Sequence, residues 1–316
     1  MTDILTVTLN PALDVLTTID RVSDTHKMRC GPTLKHPGGG GVNVARVLHR
    51  LGANCQAVYL GGGVTGERHR QLLRDEGVRC HVVPIAEETR ESFSAHELST
   101  GNDYRFVLPG PNASEAEWQA CLDYVAQNLP KKFLVLSGGL APGVPDDFFA
   151  RLTQLAKTHG VRVVLDSNGP ALAEALKVGV YLFKPSLREL RDLTGQALPD
   201  TDSQVAAARM LIDQGQAEVV AVSLGEDGAL LVTSTQVIHA LSIPVNVKTT
   251  IGAGDSFVAG MVWALNTQQP LDQAFAWGMA AGAAALLELG TALARPENIS
   301  ALRQKVNIKF NKYGIN

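Results

Sequence analysis

The stretch TIGAGDSFVAG, residues 250–260, holds the residues best suited to chemistry. Gly252 and Gly254 suit a tight turn and a close main-chain approach. Asp255 follows them where the amphipathic run AGDSFVAGMVWALN starts as a helix. Amides at a helix start carry partial positive charge. Those of Gly252, Ala253 and Gly254 can therefore stabilise charge building on a transferring phosphoryl group. Asp255 lies in the same field, which favours the carboxylate, so it is expected to be ionised at neutral pH. It can then accept a proton from an attacking hydroxyl. A plain helix cap has the same local spelling, so the rest of the chain must separate the two.

A second glycine-rich stretch, PGGGGVNVARVLHRLG, spans residues 37–52. Four consecutive glycines cost backbone entropy and leave amides exposed, which no packing role explains. Ahead of the helix VNVARVLHRLG they read as a nest for an anion or a hydroxyl. Asn43 falls in the first turn, its amide free for a sugar hydroxyl. Because this nest lies far upstream of Asp255, it counts as a second, separate anion-type site. GGGVTG, Gly61–Gly66, spells G-x-G-x-x-G between a strand and a helix, formally a dinucleotide fingerprint. It is not the first strand of the fold, however, and the helix that follows, ERHRQLLRDEG, is strongly polar. A turn lining some other ligand fits better than a nicotinamide dehydrogenase. VVAVSLGEDGALLV reads as strand, glycine turn and strand, and beside a nucleotide it could pass amides under the phosphates.

These residues need a scaffold, and the alternation of elements supplies one. DILTVTLN, CQAVYLGG, KKFLVLSGG, VRVVLDS, VYLFKPS and EVVAVSLG read as strands. ERHRQLLRDEG, DDFFARLTQLAKTHG, ALAEALKVG and SQVAAARMLIDQG read as helices between them. Short apolar strands separated by amphipathic helices predict a parallel sheet covered on both faces. Two segments break the rhythm, VLTTIDRVSDTHKMRCGPTLKHPG and ESFSAHELSTGNDYRFVLPG. Each alternates polar with apolar and reads as a hairpin, the second turning at STGND. Together they predict a small extra sheet that covers a ligand, packs on a second subunit, or both.

Composition narrows the function classes. At 316 residues the chain is long for one core and short for three domains. With 45% hydrophobic and 19% charged residues it is an ordinary globular mix. A net charge of −3 leaves no basic footprint for nucleic acid or anionic membrane. Cys30, Cys55, Cys80 and Cys121 form no CxxC pair and no cluster with histidine, which fits reduced thiols in a cytoplasmic protein. MTDILTVTLNP has no pattern of a secretory leader. AFAWGMAAGAAALLELG is too short and alanine-rich for a membrane span and reads as a buried helix. No internal repeat or low-complexity tract is found.

GGGGVNVAR, SGGLAPG, KPSLREL, VSLGEDGAL and TIGAGDSFVAG occur in the order seen in ribokinase-like (PfkB-type) carbohydrate kinases. The resemblance covers nearly the whole chain and is strongest to the ribokinase-like 6-phosphofructokinases. 1-Phosphofructokinase and tagatose-6-phosphate kinase are the near alternatives. It implies one α/β domain over residues 1–316, a three-layer sandwich on a mostly parallel sheet. Inserted segments 14–36 and 90–108 would form a β lid that also clasps a homodimer. It implies ATP with Mg²⁺, a sugar phosphate as substrate, and a monovalent cation (K⁺). Asp255 would be the base, and Gly252, Ala253 and Gly254 the anion hole. Asp14, Gly39, Gly40, Asn43 and Ser137 would line the sugar, while Lys27 and Arg90 would face its phosphate. Lys184, Ser186, Glu189, Ser223 and Gly225 would line the ATP and Mg²⁺ side, Glu189 serving the metal. Carbonyls near Thr249, Ile251, Ala285 and Gly290 would hold the monovalent cation. Three positions depart from the wider pattern. Ser186 stands where Asn is usual, Ala292 where a basic residue is expected, and Gly40 where many relatives carry Lys. The last is shared with the ribokinase-like 6-phosphofructokinases and points to fructose 6-phosphate. A sugar-phosphate-binding protein without catalysis is the remaining alternative.

Overall fold

The computed structural model describes residues 1–24 and 26–311. The chain opens with β1 (Ile4–Thr8), β2 (Ala12–Ile19), β3 (Leu34–Gly38), α1 (Gly40–Arg50), β4 (Cys55–Gly61), α2 (Gly63–Asp75) and β5 (Cys80–Pro84). There follow β6 (Arg90–Glu97), β7 (Asp103–Val107), α3 (Glu115–Gln127), β8 (Phe133–Ser137), α4 (Phe148–Thr158), β9 (Arg162–Asp166) and α5 (Gly169–Val178). Then come β10 (Val180–Phe183), α6 (Leu187–Thr194), α7 (Thr201–Asp213), β11 (Ala217–Ser223), β12 (Ala229–Val232) and β13 (Val237–Ala240). The chain closes with α8 (Ala253–Asn266), α9 (Leu271–Ala285), α10 (Pro296–Arg303) and β14 (Ile308–Asn311).

The main sheet has the order β14-β13-β12-β11-β10-β9-β8-β1-β4-β5. From β11 to β5 every pairing is parallel; β12, β13 and β14 add antiparallel edges. Strand alternation divides the core. Leu5, Val7, Leu134 and Leu136 join one cluster with Trp118, Phe148, Leu172 and Leu211 from α3, α4, α5 and α7. Ile4, Phe133 and Val135 join the opposite cluster with Val44, Phe257, Phe275 and Ile299 from α1, α8, α9 and α10. This is the expected helix–sheet–helix sandwich. Buried α9 matches the alanine-rich run, and no helix among the described residues is long and apolar enough to cross a membrane. No cysteine is paired in a disulfide among the described residues.

The two exceptional segments form one small sheet of order β3-β2-β6-β7. The hairpins join through the parallel pairing of β2 with β6, Asp14 opposite Ser92 and Val15 opposite Phe93. Asp14, Ser92, Ser94 and Arg105 line the face towards the body, with Ile251, Gly290 and Thr291 across a narrow cleft. Phe93 and Phe106, cross-strand partners, have ring centroids 6.2 Å apart. Residues 25 and 312–316, within the proposed lid segment and domain span, lie outside the described residues.

Candidate active site

The parallel strands deliver their C-terminal ends to one side of the main sheet, where open α/β sheets bind ligands. Ser137 and Asp166 end β8 and β9, Lys184 follows β10, and Ser223 ends β11. Above them α8 begins. Gly252 is its N-cap in the left-handed region, φ 76°, which admits glycine without strain. A helix start leaves the amides of its first turn without intrahelical partners, so those of Ala253 and Gly254 remain as anion donors. Asp255 sits in that turn, and its Oδ2 accepts from Asn43 Nδ2 at 2.9 Å. The expectation of an ionised Asp255 is corrected here. Burial pushes its pKa up to about 7, and the neighbouring Asp166 adds to this. The Asn43 hydrogen bond and Lys184 pull the other way. Desolvation and a like charge outweigh the helix field.

The same contact corrects two further expectations. The Asn43 amide is not free, since its Oδ1 also accepts from Arg46 Nη1 at 3.3 Å. Nor are the glycine nest and the Asp255 turn separate sites, because Asn43 joins them. The run Gly38–Gly41 also has a packing role after all. A Cβ on Gly39 (φ 116°) would lie 2.8 Å from Thr8 Cγ2, and one on Gly41 would lie 2.7 Å from the Val7 carbonyl. α1 starts at Gly40, so two of the four glycines form its first turn. A Cβ on Gly40 would come within 2.3 Å of Ser137 Oγ. That hydroxyl is buried and has no partner among the described residues. It is an orphan donor in the nest, where a ligand would be expected. Asp14 takes a hydrogen bond from Thr291 Oγ1 at 2.8 Å, and burial raises its pKa.

Lys184 Nζ lies 3.1 Å from Asp166 Oδ1 and 3.4 Å from the point where Gly254 would carry a Cβ. Burial pulls its ammonium down, but Asp166, Glu189 and Asp255 outweigh this and keep it protonated. Asp166 was missed in the sequence, where it reads as the polar end of VRVVLDS. Ser186 caps α6. Its N–H and Oγ donate to Glu189 Oε2 at 2.7 and 2.9 Å, and Glu189 N–H returns a bond to Ser186 Oγ at 3.2 Å. The serine that departs from the family pattern thus fixes the Glu189 carboxylate. Ser186 bridges to Ser223 beside the left-handed turn at Gly225 (φ 64°).

Arg90 donates to the carbonyls of Asn10 at 3.1 Å and Leu108 at 3.3 Å, and its buried Nε has no partner among the described residues. Arg105, a second arginine on the Asp14 face, was not singled out. The alternation of DYRFV, which sends Phe106 outward, was the signal for it. Lys27 is exposed on the β2–β3 connection and shares no hydrogen bond or ion pair with the other candidates among the described residues. GGGVTG carries no nucleotide site. Glu88 Oε1 accepts from Thr65 N–H at 2.5 Å at the start of α2, and Thr89 Oγ1 accepts from Gly62 N–H at 3.0 Å. Those two amides are occupied within the protein, which argues against the dinucleotide reading.

The fit to metal ions follows from the donors. No group of three His, Cys, Asp or Glu among the described residues could form a protein cage. Mg²⁺ normally takes one or two carboxylates plus waters and phosphates, so Glu189 beside the phosphate side suits it. The segments bearing Thr249, Ile251, Ala285 and Gly290 are neighbours. Lys248 N–H donates to the Leu286 carbonyl at 2.8 Å, and Ile251 shares the Asp14 cleft with Gly290.

Comparison with known proteins agrees with this geometry. The model of the pfkB family carbohydrate kinases matches residues 7–298. ATP-dependent 6-phosphofructokinase isozyme 2 of Mycobacterium tuberculosis is 44% identical over 94% of this chain and 87% of its own. The 1-phosphofructokinase of Bacillus subtilis is 33% identical over 91% and 94%. The crystal structure of phosphofructokinase-2 from Escherichia coli in complex with potassium superposes with a TM-score of 0.92 at 37% identity, covering 96% of this chain and 99% of that one. A ribokinase-like sandwich, an aspartate at a glycine helix start and a match over most of the sequence lead to one conclusion: the chain belongs to the pfkB family of carbohydrate kinases and is an enzyme of phosphoryl transfer.

Proposed function

We propose that the protein transfers the γ-phosphoryl group of ATP to the C1 hydroxyl of fructose 6-phosphate, giving fructose 1,6-bisphosphate and ADP. The observation that carries this reading is the Asn43–Asp255 hydrogen bond, which sets a carboxylate with a pKa of about 7 at the first turn of α8. A base with its pKa near working pH is well matched to this step. The C1 oxygen attacks the γ-phosphorus as its proton passes to Asp255, and the bond to the bridging oxygen of ADP breaks. The amides of Gly252, Ala253 and Gly254 and the Lys184 ammonium receive the charge that builds on the phosphoryl oxygens. Asp14, Gly39, Ser137 and the second N–H of the Asn43 amide hold the sugar hydroxyls. Glu189, Ser223 and Gly225 stand on the ATP side. Mg²⁺ held through Glu189 would neutralise phosphate charge, and K⁺ on the four carbonyls would support the anion hole.

Two features favour fructose 6-phosphate over fructose 1-phosphate. The identity is higher to a 6-phosphofructokinase than to a 1-phosphofructokinase, 44% against 33%. Gly40 also lies so close to Ser137 that no lysine fits there on this backbone, leaving the sugar's phosphate to Arg90, Arg105 and Lys27 on the small-sheet side. C1 would then point towards Asp255. The small sheet acts as lid over a single kinase domain, and its outer face joins two copies in a cytoplasmic homodimer. ADP release on fructose 6-phosphate, fructose 1-phosphate, tagatose 6-phosphate and free sugars tests the substrate. A tenfold higher kcat/KM on either alternative phosphate, about 1.4 kcal/mol of transition-state binding, would defeat the assignment. Binding without ADP release would indicate a protein that has lost catalysis.

A further inference from the structure

Arg46 has no role in the chemistry so far, yet it is a wholly buried cation, 0% exposed. Its guanidinium spans two sides. Towards α2, Nε donates to both Glu76 oxygens at 3.0 Å and Nη2 to Oε1 at 2.6 Å. Towards the site, Nη1 faces the Thr291 carbonyl at 2.8 Å, the Pro37 carbonyl at 3.1 Å and Asn43 Oδ1 at 3.3 Å. Burying an ion costs several kcal/mol and needs its remaining donors satisfied as well as a counter-charge, and the Glu76 carboxylate supplies the charge but not the acceptors for Nη1. The Nη1 contacts go instead to three groups that border the reaction. Asn43 holds Asp255, Thr291 holds Asp14 through its hydroxyl, and Pro37 opens the glycine run.

We propose that Arg46 is the positioning residue of this site. One guanidinium orients the Asn43 amide towards Asp255 and fixes the Thr291 segment against Asp14, so the base and the sugar-hydroxyl ligand share one anchor. An asparagine amide has an acceptor end and a donor end of similar shape. A donor fixed at Oδ1 leaves only the NH₂ group to face Asp255. Without it the amide can turn and set its oxygen against the carboxylate. The inference rests on Asp255 being the base.

The surrounding charges make a pH measurement informative. Arg46 is faced by Glu76 from α2, Arg50 from α1, Asp14 from β2 and His36 from β3. Asp255 is faced by Asp166 from β9, Lys184 after β10, Asp14 from β2 and the Asn43 amide from α1. Burial pushes His36 and the nearby His69 down to about 4, so both are neutral at assay pH. Asp255 is pushed up to about 7, and burial raises Asp14 and Asp166 as well.

Arg46→Lys supplies one ammonium, which cannot reach Glu76, Asn43 and Thr291 together. We expect kcat to fall by about tenfold or more, the scale of one lost hydrogen bond to a charged group. KM should rise for fructose 6-phosphate and stay unchanged for ATP, and the acid limb of kcat/KM should move to higher pH. A lower melting temperature with kcat per folded molecule and the acid limb unmoved would show a structural role only and overturn the inference. If Arg46→Lys does not fold, Glu76→Gln carries the same readout, since it loosens the anchor from the far side. An acid limb displaced upward supports the proposal, and an unmoved one overturns it. Asp255→Asn is measured alongside. Near-normal kcat in that variant ends the reading of the base itself, whereas an inactive Asp255→Asn beside an unmoved acid limb ends this inference alone.

Discussion

Asp255 stands between opposing influences, and the balance has measurable consequences. Helix amides, Lys184 and Asn43 favour the carboxylate, while burial and Asp166 favour the acid and prevail. Turnover should fall as pH drops below about 7. Asp255→Asn should lower kcat by roughly 10²–10⁴ with sugar-phosphate binding intact, as single-turnover and binding measurements can show. Its stability should change in the opposite sense. The folded pKa, about 7, lies above the ordinary aspartate value. Between those two values the unfolded chain ionises while the folded one keeps its proton, so stability falls with rising pH and stays lowered above the folded value. Asp255→Asn should therefore melt at a higher temperature than wild type at alkaline pH, and the difference should vanish in acid below both pKa values. Arg90 presents a different balance. Its two Nη contacts to main-chain carbonyls pin the fork and leave Nε unpaired. Arg90→Lys should raise KM for fructose 6-phosphate well above any change in KM for ATP, and equal changes would indicate a scaffold role. Asp255 itself was legible because glycine, charge and helix start coincide within a few residues. Asn43 was singled out as well, but not as its partner, since the two lie 212 residues apart and no local pattern reports such a meeting. Arg46 was hidden for a related reason, reading as one more charge on an amphipathic helix.

At the scale of elements, the legible part was the alternation of apolar strand and amphipathic helix, which follows directly from burial on both faces of a parallel sheet. The small sheet was also foreseeable from period-two patterning. The segments left unassigned were those with mixed signals. β5, CHVVP, ends on a proline, and β13 and β14 are antiparallel strands of only four residues each. α3 has a polar surface and announces itself chiefly by the capping box of Ser114 and Glu117. The glycines before α1 were legible as unusual and misread in cause. They bring β1, α1 and the end of β8 close together. Gly40→Ala tests this junction, because its Cβ would strike Ser137 Oγ and the Gly138 amide, the latter at 2.9 Å. Overpacking of this kind costs about 1–3 kcal/mol. The expected outcome is a lower melting temperature together with a higher KM for the sugar phosphate. A loss of stability with KM unchanged would mean that Ser137 does not touch the sugar.

For the whole molecule, the outer face of the small sheet is the feature that isolated chains leave uncovered. Phe106 is 56% exposed, and Leu108, two residues on, is 50% exposed. Exposed apolar surface of this kind fits the dimer interface proposed above. Phe106→Glu should give monomers by sedimentation and impair activity with them. A dimer of unchanged strength would remove this face as the interface, and a fully active monomer would separate dimerisation from catalysis. The long-range hydrogen bonds of the site carry a further consequence, for biosynthesis. Asp14 meets Thr291 across 277 residues and Asn43 meets Asp255 across 212. Contacts of such separation form late, once intervening chain has been ordered. A nascent chain still short of Thr291 can lay down the central strands, but it lacks both the aspartate's partner and the segment that Arg46 grips. On the roles proposed above, catalytic competence therefore waits until Thr291 has been made, and a growing polypeptide short of it should not turn over ATP.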